Sequence, residues 1–195
     1  LLPRAPIAQI AALVRDLPRA GLLCFEAGEP LLVVGDVSDL AVGFPAYARA
    51  CRRVDAVPSH DIEKANVFVG AGLEETRAVL DFLLARVEGV GLNLPMAGFL
   101  NVTPVGWGKA SGIDVLCDWL GIGLDQVVVF GDGGNDVEML EHVPHSVAVA
   151  DAAPEAFAAA HHQIGRCEDD AVAAVIEAIV AGQWPFADNE ESRCK

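Results

Sequence analysis

Three observations predict an α/β chain whose carboxyl-terminal half holds a parallel sheet, preceded by an α+β portion. From about residue 105 onward, short apolar runs alternate with segments of helical spacing, the pattern of βαβ units. Before that point, strand-like runs and helices follow one another without this alternation. Third, the run Val127-Val128-Val129-Phe130 stops abruptly at Gly131-Asp132-Gly133-Gly134-Asn135-Asp136. A buried parallel strand that ends in glycines and carboxylates presents them where open α/β sheets bind ligands.

The elements follow in order. Ile7, Ile10, Leu13, Val14 and Leu17 have helical spacing over 7–17. Two apolar runs, 21–25 and 31–34, read as strands joined by a turn at Ala27-Gly28-Glu29-Pro30. Residues 40–53 are ambiguous, with a short helix near 47–53. A strand is expected at 65–69, and Gly70-Ala71-Gly72 then breaks the chain. A helix over 73–87 presents Leu73, Val79, Leu80, Leu83, Leu84 and Val87 as one apolar stripe. Residues 91–102 form a strand or strand pair bent at Pro95 and Gly98. The helix 111–120 turns Ile113, Leu116 and Leu120 inward and stops at Gly121. Strands at 127–130, 146–149 and 163–164 then alternate with helices at 136–142, 154–160 and 169–181. The last residues, 188–195, are a polar, frayed tail.

Composition narrows the function. The chain has 195 residues, 53% of them hydrophobic, which excludes general disorder and allows one ordinary domain or two small ones. No apolar run reaches the length of roughly 18 residues that a membrane-spanning helix requires. The formal net charge of −15 disfavours nucleic acid and anionic lipid as partners. Five scattered cysteines without a C-x-x-C pair read as free thiols in a reducing cytoplasm and speak against zinc.

The chemistry concentrates in two places. Asp132 and Asp136 can face one point above the sheet, and two like charges this close favour a cation between them. Oxygen ligands at such spacing suit Mg²⁺. The alternative is structural, with Asp136 capping the next helix and Asp132 or Asn135 steadying the turn. Lys109, in Gly106-Trp107-Gly108-Lys109-Ala110-Ser111-Gly112, precedes a helix and suits a phosphate oxygen, or is simply a surface lysine. It does not belong to a Walker A loop, because Ala110 follows it. Asp136 stands where a dinucleotide fingerprint would need glycine. A methyltransferase-type glycine loop is absent as well. His142 and His145, flanking Pro144 beside the acidic loop, and His161 and His162 at a helix end read as structural.

Lys109 with its following helix, Leu120-Gly121-Ile122, and the run from Val127 to Leu140 resemble the haloacid dehalogenase (HAD) superfamily of phosphohydrolases. They look most like its Cof-type branch, class IIB, which includes many sugar-phosphate phosphatases. The pattern Gly-Asp-Gly-x-Asn-Asp-x-x-Met-Leu is matched in full from Gly131 to Leu140. Ser146-Val147-Ala148-Val149 and the Ala-rich segment 152–160 also fit. This likeness spans residues 106–181, whereas 1–105 resemble the branch's cap through element order. The resemblance implies an α+β cap of class IIB type over 1–104 and the carboxyl half of a Rossmann-like HAD core over 105–187.

It further implies a Mg²⁺-dependent phosphatase of a small phosphorylated metabolite. In such enzymes an Asp nucleophile is phosphorylated and then hydrolysed. By position, Asp132 is the metal ligand and Asp136 its partner, Lys109 holds the phosphoryl group, and Asn135 orients the phosphate. The family's D-x-D-G-T motif and its strand-end Ser or Thr have no counterpart before Lys109. The expectation is therefore an N-terminally truncated hydrolase, whose strand 127–130 lacks a neighbour and presents an open edge. A metal- or phosphate-binding module without turnover, or a phosphotransferase such as a phosphomutase, are the other readings.

Overall fold

The computed structural model describes residues 1–186. Two compact units result, the first Leu1–Ser111 and the second beginning at Gly112. The expected tail at 188–195 lies outside the described residues.

In the first unit α1 (Arg4–Val14) is followed by the hairpin β1 (Ala20–Glu26) and β2 (Glu29–Val34). Ala27 and Gly28 both have positive φ, 49° and 81°, the turn geometry whose twist suits an antiparallel pair. The ambiguous stretch resolves into α2 (Val37–Gly43), α3 (Pro45–Ala50) and the two-residue β3 (Arg52–Arg53). Pro45 opens α3, where its missing N–H costs nothing. Then come β4 (Lys64–Val69), α4 (Leu73–Leu84), β5 (Gly91–Met96) and β6 (Phe99–Thr103). The expected bend is a hairpin, and its register slips between Asn93 and Met96, around Pro95, which has no N–H for the ladder.

These six strands form one sheet in the order β3-β2-β1-β4-β6-β5, antiparallel except for β2 beside β3. Strand alternation divides its two faces. Leu22, Cys24, Ala65, Val67, Leu100 and Val102 pack with Ile7, Ile10, Ala11 and Val14 of α1 and Leu83 of α4. The other face sets Leu23, Phe25, Leu32, Phe68 and Phe99 against Leu40, Phe44 and Tyr47 of α2 and α3. Leu73 and Leu84, expected in the apolar stripe of α4, are 51% and 53% exposed; Thr76 and Leu83 take the buried positions. Burial pushes the Cys24 thiol up to about 12, because the thiolate would lose its water.

Helix α5 (Lys109–Leu120) crosses the boundary into the second unit. It ends as expected at Gly121, φ 69°. There the Ile122 N–H bonds the Cys117 carbonyl and the Gly121 N–H bonds the Asp118 carbonyl, a Schellman closure. The second unit continues through β7 (Val128–Gly131), α6 (Val137–His142), β8 (His145–Val149), α7 (Pro154–Ala159), β9 (His162–Ile164) and α8 (Ala171–Val180). Its three strands are parallel, in the order β7-β8-β9. Val129, Met139, Leu140, Val143, Ala148 and Ala156 form its core, with Ile113 packed against them. Leu116 and Leu120, expected to face inward, are 45% and 51% exposed, and Trp119 is 80% exposed. The sheet ends at β7 among the described residues.

Candidate active site

Four residues of β7 and six of α6 set the local geometry. The parallel register pairs Val128 with His145 and Gly131 with Ala148. Residues 132–136 therefore leave the carboxyl end of β7. The same register puts His145 at the amino end of β8, away from the loop rather than beside it. His161 and His162 do not end a helix either; α7 stops at Ala159 and β9 begins at His162.

The loop is a short 3₁₀ turn, Gly134–Asp136, with the Asp136 N–H on the Gly133 carbonyl at 2.9 Å. Asp132 is exposed, and its carbonyl accepts the Ala153 N–H at 2.8 Å, which fixes the loop to the start of α7. Asp136 is 2% exposed. Although it occupies the N-cap position of α6, its side chain makes no cap hydrogen bond to that helix. Instead Asp136 Oδ2 accepts the N–H groups of Asp132 and Gly133, each at 3.0 Å. Its carboxylate folds back over the loop and stabilises it through two charge-assisted bonds.

Gly131 makes that fold-back possible. A Cβ there would lie 2.7 Å from the Asp136 Cβ and 3.0 Å from the Leu140 Cδ1. Ser146 anchors the far end of α6: its hydroxyl donates to the Leu140 carbonyl at 2.5 Å and accepts the His161 N–H at 3.1 Å. The sequence pattern includes both residues but does not reveal these roles. The signals for them were a glycine directly at the strand end and a serine inside an apolar strand.

Asn135 is half-buried in the same turn. Lys109 is the exposed first residue of α5, behind Gly108, whose N–H bonds Ser111 Oγ at 3.0 Å in the manner of a capping box. The structure thus gathers Asp132, Asn135 and Asp136 in one loop of the second unit, while Lys109 falls in the first. No group of three His, Cys, Asp or Glu side chains is placed to hold a metal ion among the described residues. The loop's side-chain donors are all oxygens, and two carboxylates with water and a substrate phosphate are a common environment for Mg²⁺. The residues therefore fit that ion.

HMP-PP phosphatase of Citrobacter koseri is 34% identical over 121 residues, which are 61% of this chain and 44% of that protein. The chain thus spans less than half the length of that curated relative. A Streptococcus mutans protein of known structure superposes with a TM-score of 0.80 at 22% identity, over 92% of this chain and 69% of its own. A HAD subclass IIB sugar phosphatase superposes at 0.70 and 21% identity, over 92% and 67%. These two likenesses establish the fold. The model of the haloacid dehalogenase-like hydrolases matches residues 75–176, just over half of the chain. With that match, the Gly131–Leu140 pattern and the shared Rossmann-like fold, the chain belongs to the haloacid dehalogenase-like hydrolase family, in its Cof-type branch.

Proposed function

We propose that these residues supply the cap, 1–104, and the carboxyl half of the core, 105–187, of a cytoplasmic Mg²⁺-dependent phosphatase. Its substrate is a small phosphate monoester, a sugar phosphate or similar metabolite, and neither nucleic acid nor membrane is a partner. The observation that carries this reading is the loop itself. Asp136 holds the backbone of Asp132 and Gly133 in place, and Asp132 is left exposed at the carboxyl end of β7.

Phosphoryl transfer needs its oxygens neutralised and held in position more than it needs covalent chemistry from the protein. Asp132 and Asp136 are the metal-binding pair, with Asp136 acting partly by holding the loop. Asn135 orients the phosphate, and Lys109 binds a phosphoryl oxygen and steadies the nucleophile. Bound Mg²⁺ supplies positive charge to the transferring oxygens. The phosphorylated aspartate is not among these 195 residues, since no D-x-D-G-T occurs in them. That same absence favours a second reading for the chain by itself, binding of metal and phosphate without turnover. A phosphotransferase on this core would differ only in the final acceptor.

The test combines p-nitrophenyl phosphate turnover with Mg²⁺-dependent phosphate binding followed by calorimetry. The chain is expected to bind phosphate only with Mg²⁺, to lose that binding in Asp132→Asn, and to show no turnover. Undiminished binding in Asp132→Asn would overturn the metal assignment. Mg²⁺-dependent turnover would place the nucleophile within these residues and sink that part of the reading.

A further inference from the structure

Helix α1 sets Ile7, Ile10 and Val14 wholly into the core of the first unit. Beside that buried stripe runs an open groove of about 300 Å³. Ala8, Ala11 and Ala12 of α1 form one wall, and Val33 of β2 and Val57 form the other. Ala11, Val33 and Val57 are only 5–7% exposed, so the groove has an apolar floor.

Topology fixes what stands at its ends. Residues 15–19 are all that joins α1 to β1, so the two run in opposite directions. β2 is antiparallel to β1, and β3 is parallel to β2. Both therefore run in the direction of α1. That brings Asp55, two residues past β3, level with the carboxyl end of α1, where Arg15 stands. From there the chain returns along the helix, and the Arg4 Nε–H donates to the Pro58 carbonyl at 3.0 Å. Arg15 and Asp55 thus mark one end of the groove and Arg4 the other, and all three line it.

These charges do not neutralise one another. Neither the Arg15 nor the Asp55 side chain has a hydrogen bond or an ion pair among the described residues. The single bond of Arg4 uses Nε and fixes the side chain, leaving the donors of its two terminal nitrogens over. Helix stability does not explain Arg4, because a cation in the first turn opposes the helix dipole. With 28 acidic side chains against 13 basic ones, scarcity of carboxylates does not explain it either.

One groove therefore offers a guanidinium and a carboxylate side by side, then an apolar floor, then a second guanidinium. An α-amino acid carries the matching groups in that order. Its carboxylate suits the paired N–H groups of an arginine, and its ammonium suits a carboxylate. A ring at the end of its side chain suits the face of the far guanidinium. Arg4 and Arg15 lie about 16 Å apart along the helix axis, which leaves room for one such molecule between two long side chains. The volume is at the lower end of the range for small-molecule sites.

We propose that this groove binds a free aromatic α-amino acid, its carboxylate on Arg15, its ammonium on Asp55 and its ring over the alanine wall towards Arg4. The site lies wholly within the first unit and does not depend on the phosphatase reading.

The test titrates the ¹⁵N-labelled full chain with L-phenylalanine, and with 3-phenylpropionate, phenethylamine and inorganic phosphate as controls. Phenylalanine is expected to shift the backbone amides of residues 8–12 and 55–57 saturably and to leave those of 131–136 still. Phenylpropionate lacks the ammonium and phenethylamine lacks the carboxylate. Each should bind about fivefold more weakly, the worth of one exposed ion pair. Arg15→Ala should weaken phenylalanine by the same factor and leave phenethylamine unchanged. Asp55→Asn should weaken phenylalanine and leave phenylpropionate unchanged. Ala12→Leu, at an exposed helical position that leucine suits, fills the groove and should abolish binding of all three. Absence of a saturable phenylalanine shift overturns the proposal. So does unchanged phenylalanine binding in an Ala12→Leu variant whose circular dichroism matches that of the parent chain. If phosphate or phenylpropionate binds as tightly as phenylalanine, the groove is a plain anion site and the amino-acid assignment falls.

Discussion

The first unit sandwiches six strands between packed side chains on both faces, whereas the second has three parallel strands among the described residues. Leu23, Leu32 and Leu100 of the first are wholly buried; Leu116, Trp119 and Leu120 of the second are 45–80% exposed. The motif that defines the family sits in the second. The densest packing and the family's sequence motif therefore fall in different parts of the chain. Of the candidate site the better-filled unit holds only Lys109, and in the motif-bearing unit one edge of the apolar β7 has no strand beside it among the described residues.

That contrast can be broken by mutation. Leu100→Ala is expected to cost the first unit about 2–5 kcal/mol, the range for emptying a buried leucine site. Scanning calorimetry should show one transition moving and a second, from the Gly112 side, staying put. A single transition that shifts as a whole would mean the two units unfold together. Gly131→Ala is expected to cost roughly 1–3 kcal/mol by forcing the Asp136 and Leu140 side chains aside. It should weaken Mg²⁺-dependent phosphate binding as well, and denaturant titration with calorimetry checks both. A stable variant with normal binding would show that the loop does not depend on this close approach.

The smallest expected effect sharpens the second unit alone. The His162 ring lies 4.2 Å from the Phe186 ring and 6.1 Å from that of Trp184. Burial, with His145 and His161 nearby, holds its pKa below the ordinary histidine value. The folded state thus binds this proton less readily than the unfolded chain does. Stability is complete above the unfolded histidine's pKa and falls as pH drops through it towards the folded value. Urea midpoints between pH 7.5 and pH 5.5 should decline, and His162→Gln should flatten the decline. An unchanged slope in the variant would assign it to other groups.

How much of this was legible in the sequence depended on period and punctuation. Alternating short strands and helices identified the parallel half, and Ile7, Ile10 and Val14 announced the buried stripe of α1. Gly121 marked the end of α5 correctly. Residues 40–53 stayed ambiguous because α2 and α3 are six or seven residues long and together bury only Leu40, too little for a period to emerge. The inward face of α5 was misjudged because spacing names a stripe without saying what covers it. Asp136 illustrates the limit at the site. Four residues after Asp132, an aspartate can ligate, cap a helix or hold a backbone, and only the coordinates reveal the two amides on Oδ2.

The Asp136 carboxylate has a consequence for ligand affinity. A loop with glycines at 133 and 134 would ordinarily sample many shapes, and restricting each residue's backbone costs on the order of 1–2 kcal/mol. Here that ordering is accomplished during folding, through one buried side chain of the same turn. Under the proposed function, an arriving phosphate ester would meet a loop already in shape, and its contacts would go towards tighter binding instead of loop ordering.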